Sequence, residues 1–347
     1  MRSFEIPKER WLETESKLTG RLDEIESLRR SFPEVRKRLK EVVERLRRLD
    51  IGLFPASIDT GREARYSPVP QAEALAFARS HGGESSEAGY RKMVLRITKE
   101  HDRMRLSCDL LREMHLCVCG AGDPHAGQWK TKNNYVPVYR GHDTWFASRL
   151  TTLFQFVPDY MESLHERFGR MWESRSIDPL LLIAAYSLDL LYIHPFSDGN
   201  GRVVRLAILL LLHQCGHSIG GLGSLESAVA GRRTGYNESL LASMQGWEEA
   251  RHDLSHWGAF LLRLIRDVYD EISRRTDELA AVANQGTALS EAIDEMPGSF
   301  RSVDLKSRLP GVPEYITRIV LNRMREAGRI EATVLGPEVE WRKPASF

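Results

Sequence analysis

The sequence contains none of the features that mark a membrane-spanning, disulfide-bonded or strongly charged protein. Its 347 residues include 49 Lys and Arg against 48 Asp and Glu, so the charge balance indicates no polyanionic partner. Four cysteines are too few for a disulfide scaffold in a chain of this length. The longest apolar runs, residues 180–193 and 206–212, are too short to span a bilayer.

The first residues also lack the apolar core of a signal peptide, so we predict a soluble, cytoplasmic protein without a membrane partner. His115, Cys117 and Cys119 are spaced like metal ligands, but no second Cys or His pair completes a four-ligand site. We interpret them as the end of a helix with buried thiols. No Gly-x-x-x-x-Gly-Lys-Ser/Thr P-loop occurs, which excludes that class of nucleotide-binding enzyme.

Helical periodicity covers most of the chain and predicts an all-α fold. Residues 1–72 are predicted to form an N-terminal helical region, in which Pro33 starts a second helix and a loop follows from residue 51. Residues 73–280 are predicted to form a helical core, and residues 120–147 within it lack periodicity and predict a loop or a short β-hairpin. The periodic segments of the core are residues 73–80, 90–116, 158–172, 180–192, 202–214, 226–230, 236–245 and 256–279.

The last segment, residues 285–347, has a different pattern. Two short helices around Pro310 precede two strand-like stretches on either side of Gly336-Pro337, which is the order of elements in a winged-helix domain. We therefore predict a small α+β domain here. Nine Lys and Arg against six Asp and Glu between residues 301 and 347 permit contact with DNA, but they fit protein docking or dimerisation equally well.

One loop concentrates residues suited to phosphate chemistry. The stretch His194–Arg205 lies between two apolar segments, the first of which starts at the helix-capping signal Asp178-Pro179. Gly199, Asn200 and Gly201 tolerate positive φ angles, so successive backbone N–H groups can converge at the start of the second helix. Such a turn binds anions through its amides and the helix dipole.

Charged side chains add to this site. Arg202 and Arg205 lie near the start of the second helix, where positive charge is unfavourable unless an anion such as a polyphosphate compensates it. Asp198 offers an oxygen ligand for Mg²⁺ beside the same phosphates. His194 ends the first helix, where an imidazole can take a proton from a hydroxyl. Each residue alone fits an ordinary glycine-rich turn, but together they indicate phosphoryl or nucleotidyl transfer.

The whole motif resembles a known family signature. The segment His194-Pro195-Phe196-Ser197-Asp198-Gly199-Asn200-Gly201-Arg202-Val203-Val204-Arg205 matches every fixed position of the Fic motif His-Pro-Phe-x-Asp/Glu-Gly-Asn-Gly-Arg-x-x-Arg. The resemblance implies a helical Fic core with a short β-hairpin flap, followed here by the winged-helix domain. It also implies a protein adenylyltransferase, which transfers AMP from ATP to a Tyr, Ser or Thr hydroxyl of a target protein and releases pyrophosphate.

The resemblance assigns a role to each motif residue. His194 is the implied catalytic base, Asp198 holds Mg²⁺, and Phe196 anchors the loop in the core. Gly127–Tyr135 corresponds to the flap that aligns the target as an added strand. The implied nucleotide-binding residues are Gly199, Asn200, Gly201, Arg202, Arg205, which reaches the γ-phosphate, and Tyr236, which lies near the adenine.

Other activities stay open at this point. Relatives that phosphorylate their target carry Lys at the position of Gly201, so AMP transfer is favoured, whereas phosphocholine transfer uses the same motif. The main alternative is a DNA-binding transcriptional regulator that uses the Fic core as a nucleotide sensor, although a sensor has no need of His194. The target protein is not identified by the sequence, and self-modification and homodimerisation are both compatible with it.

Many Fic proteins are repressed by a segment Ser/Thr-x-x-x-Glu-Gly/Asn, whose glutamate pairs with the second motif arginine and blocks the γ-phosphate. The corresponding stretch in this chain is residues 55–63, where Thr60 occupies the position of the glutamate. Asp59 and Glu63 are alternatives in a shifted register. We therefore expect Arg205 to be free of an intramolecular carboxylate, and the protein to be active without an activating mutation.

Overall fold

The computed structural model describes residues 2–49, 84–120, 122–140, 144–219, 222–335 and 338–344. Helices predominate and the strands are few and short, which confirms the predicted helical fold. The described residues divide into two compact units. One contains the residues up to Arg30 and those from 84 to Asp270, and the other contains residues 31–49 and those from Glu271 onward. The three-domain division expected from the sequence stays a prediction.

The elements of the first unit surround two apolar helices. They are α1 (Lys8–Arg48), α2 (Glu84–Glu100), α3 (Cys108–Cys119), the antiparallel hairpin β1 (Tyr135–Arg140) and β2 (Thr144–Leu150), α4 (Val157–Ser174), α5 (Pro179–Ile193), α6 (Asn200–Gln214), α7 (Leu225–Ala230), α8 (Arg233–Met244) and α9 (Ser255–Glu295). Of these, α1 and α9 have residues in both units. Among the described residues, every helix is too short or too polar to span a bilayer.

The core of the first unit lies around α5 and α6, whose side chains are buried along nearly the whole of both helices. Helix α5 begins where the Asp178 carboxylate accepts a hydrogen bond from the Leu180 N–H at 2.7 Å, and Pro179 occupies the first helical turn. Helices α2 and α3 pack against α6, and α4 packs against α5. The loop between α5 and α6 is therefore held at both ends by buried helices.

The second unit ends in the two helices and two strands that the sequence of the tail predicts, preceded by a strand that it does not predict. Strand β3 (Ser299–Arg301) precedes α10 (Ser302–Arg308), α11 (Glu314–Glu326), β4 (Glu331–Leu335) and β5 (Glu338–Arg342). The three strands form an antiparallel sheet in the order β3-β5-β4. The buried apolar cluster of the second unit includes Leu46, Ala283, Ile293, Phe300, Leu305, Ile316 and Trp341.

Two helix boundaries expected from the sequence are wrong. Pro33 does not start a new helix, because α1 continues through it. Proline inside a helix removes one hydrogen bond and costs roughly 3 kcal/mol, but here buried residues such as Ile25 and Leu39 continue the apolar stripe on both sides of Pro33. The expected helix over 90–116 is two helices, since Ser107 caps the start of α3 by accepting the Leu110 N–H at 3.2 Å.

The last core helix extends further than predicted. The sequence indicates a helix over 256–279 and a new segment from residue 285, whereas α9 runs without interruption to Glu295. Ala280, Ala283, Leu289 and Ile293 keep one face of this extension buried. Apolar spacing of three to four residues continues past residue 280, and this packing extends the helix.

Candidate active site

The loop between α5 and α6 has the conformation that its glycines predict. His194 caps α5 with a left-handed φ of 54°, and Gly199 caps the start of α6 with a φ of 73°. A Cβ atom at Gly199 would lie 3.1 Å from Val118 Cγ1, so a side chain there is opposed both by its φ angle and by α3. The N-terminus of α6 therefore opens through a tight turn, as an anion-binding turn requires.

Asn200 closes the loop on itself. Its side-chain oxygen accepts the Phe196 N–H at 3.0 Å, and its Nδ2 donates to the Phe196 carbonyl at 2.9 Å. Both polar ends of this buried side chain are thus used within the loop. The sequence places Asn200 among the phosphate-binding residues, and the structure leaves its backbone N–H at the start of α6 for that role.

His115 supports the same loop from α3, which the sequence does not indicate. Its ring stacks on the fully buried Phe196 with centroids 3.9 Å apart and an interplanar angle of 5°. Nδ1 accepts the Gly127 N–H at 2.9 Å, so Nε2 carries the proton and donates to the Asp198 carbonyl at 3.1 Å. Burial lowers the pKa of His115, which agrees with a neutral ring. His115 therefore anchors Phe196 and Asp198 together.

Arg202 and Asp198 face each other across the turn. Their side chains approach to 3.5 Å, and Arg202 also donates to the Val118 carbonyl at the end of α3 at 3.1 Å. Arg202 is buried, whereas the Asp198 side chain is 72% exposed. The carboxylate is thus open to a ligand, and the arginine is held in place behind it.

Arg205 does not have the free guanidinium that the sequence led us to expect. Its Nε donates to Glu226 on α7 at 2.5 Å, and both residues are buried. Burial by itself would lower the pKa of Arg205, but the Glu226 carboxylate outweighs this effect and raises that pKa above its ordinary value. The expectation that Arg205 lacks an intramolecular carboxylate is therefore wrong. The carboxylate that pairs with Arg205 is that of Glu226, on a helix after the motif.

Two tyrosines lie beside this ion pair. Tyr90 on α2 hydrogen-bonds Glu226, and burial followed by the charge of Glu226 raises the pKa of its hydroxyl. Tyr236 on α8 packs edge-on against Trp257, with centroids 5.2 Å apart, and its charge environment includes both Arg205 and Glu226. Tyr236 is therefore near the arginine that would meet the end of a polyphosphate. Its implied place beside an adenine stays a prediction.

His194 lies half-buried at the other end of the loop. Burial, followed by repulsion from Lys130 and Arg149, lowers its pKa to about 4, while Asp198 acts in the opposite direction. The imidazole is accordingly neutral at pH 7 and able to accept a proton. Negative phosphates bound at the turn would raise this pKa toward the range in which a base is most effective.

Some predicted features lie elsewhere or outside the described residues. The paired strands β1 and β2 begin at Tyr135, the last residue of the segment Gly127–Tyr135 that the resemblance assigns to the flap. Thr60, together with Asp59 and Glu63, lies outside the described residues. Within the described part of the chain, no group of three or more His, Cys, Asp or Glu side chains is arranged to hold a metal ion. Asp198 thus offers a single carboxylate, which fits Mg²⁺ held mainly by phosphate oxygens and water.

Comparison with known proteins agrees with the motif. Residues 105–212 match the Fic/DOC family model, so this part of the chain is similar to proteins of the Fic/DOC family. A protein adenylyltransferase from Caenorhabditis elegans is 34% identical over 124 residues, which are 35% of this chain and 21% of that protein. One from Drosophila willistoni is 30% identical over 116 residues, or 33% of this chain and 21% of that protein.

The chain thus spans about a fifth of the length of these curated relatives. A solved structure of a Fic family protein from Desulfovibrio desulfuricans aligns with 99% of this chain and 98% of its own, with 20% identity and a TM-score of 0.45.

Proposed function

We propose that this chain transfers AMP from ATP to a hydroxyl group of a protein. The observation that carries the proposal is that His194, the turn at Gly199 and two buried arginines near the start of α6 follow one another where two buried helices meet. The relatives described above are protein adenylyltransferases, and this similarity supports the same chemistry.

The reaction uses the residues of the loop in three ways. The backbone N–H groups at the start of α6 and the Arg202 guanidinium would bind the α- and β-phosphates. His194 would take the proton of the target hydroxyl, whose oxygen forms the new bond to the α-phosphorus. The bond from the α-phosphorus to the oxygen bridging to the β-phosphorus breaks, and pyrophosphate leaves. The products are an AMP-modified side chain, pyrophosphate and the hydroxyl proton, which His194 holds and then releases to pyrophosphate or water.

Asp198 is the residue that would hold Mg²⁺, which when bound with ATP neutralises phosphate charge. Its exposed carboxylate at the mouth of the turn fits this role.

Replacement of Asp198 with alanine is expected to reduce Mg²⁺-dependent transfer by about 10²–10³-fold, because it removes several kcal/mol of charge stabilisation. The measurement is the initial rate of label transfer across a Mg²⁺ titration. Asp102→Ala, an exposed carboxylate outside the loop, is the control. Activity that is insensitive both to EDTA and to Asp198→Ala would remove Asp198 from the site.

The direct test compares labels in different phosphates. Purified protein is incubated with Mg²⁺, a cell lysate and ATP labelled either in the α- or in the γ-phosphate. AMP transfer predicts that protein retains only the α-label, whereas phosphorylation would leave the γ-label. The assay is run with the parent and with Glu226→Gln, because the Arg205–Glu226 pair occupies the group that would bind the γ-phosphate. A phosphocholine donor, tested in parallel, separates that related activity.

A second candidate function concerns the tail, residues 285–347. The order β3, α10, α11, β4, β5 is that of a winged helix, and Tyr315 and Arg318 are exposed near the start of α11. A DNA-binding regulator with a nucleotide-sensing core is the function this favours. A gel shift with promoter DNA, with and without ATP, tests it, and Arg318→Ala should weaken the shift.

The mild excess of basic residues in the tail fits protein docking or homodimerisation as well. Cytoplasmic location and self-modification stay predictions.

A further inference from the structure

The carbonyl groups on both sides of His194 are held by one neighbouring segment of the chain. Arg149 donates to the Tyr192 carbonyl at 3.2 Å, and the Lys130 ammonium donates to the Ile193 carbonyl at 3.5 Å. The Lys130 backbone N–H donates to the Pro195 carbonyl at 2.9 Å. Beyond it, Asn134 donates to the Phe196 carbonyl at 3.1 Å. The carbonyls of residues 192, 193, 195 and 196 thus all accept hydrogen bonds from residues 130–149.

Two of these bonds satisfy the end of α5. The last four carbonyls of a helix have no partner within the helix, and the helix dipole places negative charge there. Lys130 and Arg149 bring positive charge to this end. The two cations therefore stabilise the end of the helix from which His194 continues.

Lys130 is held more firmly than lysines usually are. It is 5% exposed, and its ammonium also donates to Asn134 Oδ1 at 2.9 Å and to Thr151 Oγ1 at 2.5 Å. An ammonium has three donors, and with the Ile193 carbonyl three acceptors surround it. Burial, followed by repulsion from Arg149, lowers the pKa of Lys130 to about 8, so it is mostly charged at neutral pH.

We propose that Lys130 is a positioning residue for His194: its ammonium binds the carbonyl of Ile193 and its backbone N–H binds that of Pro195, so the residues on either side of His194 are fixed and its ring keeps one orientation. This inference rests on the proposed function, in which His194 is the base. A left-handed conformation is unfavourable for a residue with a Cβ atom, so that of His194 persists only where the surroundings hold it. Lys130 provides two of the bonds that do so.

The position of Lys130 also affects the protonation of His194. The charged groups that face His194 are Lys130, Arg149 and Asp198. The two cations disfavour a protonated imidazole, so together with burial they keep His194 neutral and ready to accept a proton. Removing the cation of Lys130 should therefore raise the pKa of His194 and reduce the neutral fraction at slightly acidic pH.

The test compares Lys130→Met with Lys130→Arg. Lys130→Met removes the cation and its three hydrogen bonds but keeps the apolar stem, whereas Lys130→Arg keeps a cation with several donors. We expect Lys130→Met to lower kcat by about 10- to 100-fold, the cost of a displaced catalytic group, with the affinity for ATP near that of the parent. The acidic limb of its pH–rate profile should move upward by about one pH unit. Lys130→Arg should restore most of both.

A second measurement needs no turnover. The His194 ring is titrated by NMR, with its resonances assigned by their loss in His194→Ala. A raised His194 pKa in Lys130→Met, but not in Lys130→Arg, supports the inference even if no AMP transfer is found, so the two proposals fail separately. Arg149→Met removes the second cation from a partly exposed position, and it should shift the His194 pKa in the same direction if Lys130→Met does not fold. Parent values of kcat and of the His194 pKa in the folded variants would overturn the proposal.

Discussion

Replacement of His194 with alanine is expected to lower AMP transfer by about 10²–10⁴-fold while ATP binding remains close to that of the parent. The imidazole is the one group of the motif suited to accept the hydroxyl proton, and the phosphates would be held by the turn and the arginines. Burial and the neighbouring cations keep it neutral at pH 7. The measurement pairs the initial rate of α-label transfer with the Kd for Mg²⁺-ATP.

A matched control distinguishes this effect from a general loss of stability. His256→Ala replaces an exposed histidine at the start of α9 and should leave both quantities unchanged. Transfer by His194→Ala at the parent rate would show that another group takes the proton. A parallel loss of ATP affinity and of folded protein would instead show that the residue acts through the shape of the loop.

Replacement of Glu226 with glutamine is expected to increase both ATP affinity and transfer. In the parent, the Glu226 carboxylate and a γ-phosphate compete for Arg205, and a hydrogen bond between charged groups is worth about 1.5–3 kcal/mol. Removing the competing charge should therefore tighten ATP binding by about 10- to 100-fold. Calorimetry with Mg²⁺-ATP measures the affinity, and α-label transfer measures the rate.

The stability of the Glu226→Gln variant provides an independent readout. A buried guanidinium without its carboxylate is destabilising, so the variant should have a lower Tm than the parent when ATP is absent. ATP should raise the Tm of the variant more than that of the parent, because only the variant gains a new anion at Arg205. Glu238→Gln, an exposed glutamate on α8, is the control. A variant with weaker ATP binding and slower transfer would mean that Glu226 orients Arg205 for the nucleotide and does not block it.

The helices around the site could be predicted because their signals are local. Asp178-Pro179 gives a cap and a proline in the first turn, and the apolar sequences of α5 and α6 require burial. Gly199 marks the turn, since its φ is positive in the structure as its residue type suggests. The motif loop and its flanking helices are therefore encoded within residues 178–214.

The partner of Arg205 could not be predicted in this way. Glu226 lies 21 residues further along the chain, at the start of a short helix that the sequence predicts only as the periodic segment 226–230. Nothing in its local pattern indicates that it is buried against an arginine. Family resemblance places Thr60 at the position of the inhibitory glutamate, whereas the carboxylate that pairs with Arg205 comes from a tertiary contact.

The supports of the loop were missed for a related reason. Lys130 lies in a segment without periodicity, where a lysine is ordinarily solvated, and its burial depends on Thr151 and on the end of α5. His115 has the spacing of a metal ligand in the sequence, but its ring stacks on Phe196. Long-range packing of this kind leaves no periodic signal, so it is visible only in the folded chain.

Mass spectrometry of the reaction product tests the central claim most directly. Glu226→Gln is incubated with Mg²⁺-ATP and a cell lysate, and the modified proteins, including the chain itself, are digested and sequenced. The account predicts a mass gain of one AMP group on a Tyr, Ser or Thr side chain, and its loss when His194→Ala is added to the same variant. A variant that binds Mg²⁺-ATP but produces no AMP-modified peptide, or one whose modification survives His194→Ala, would contradict it.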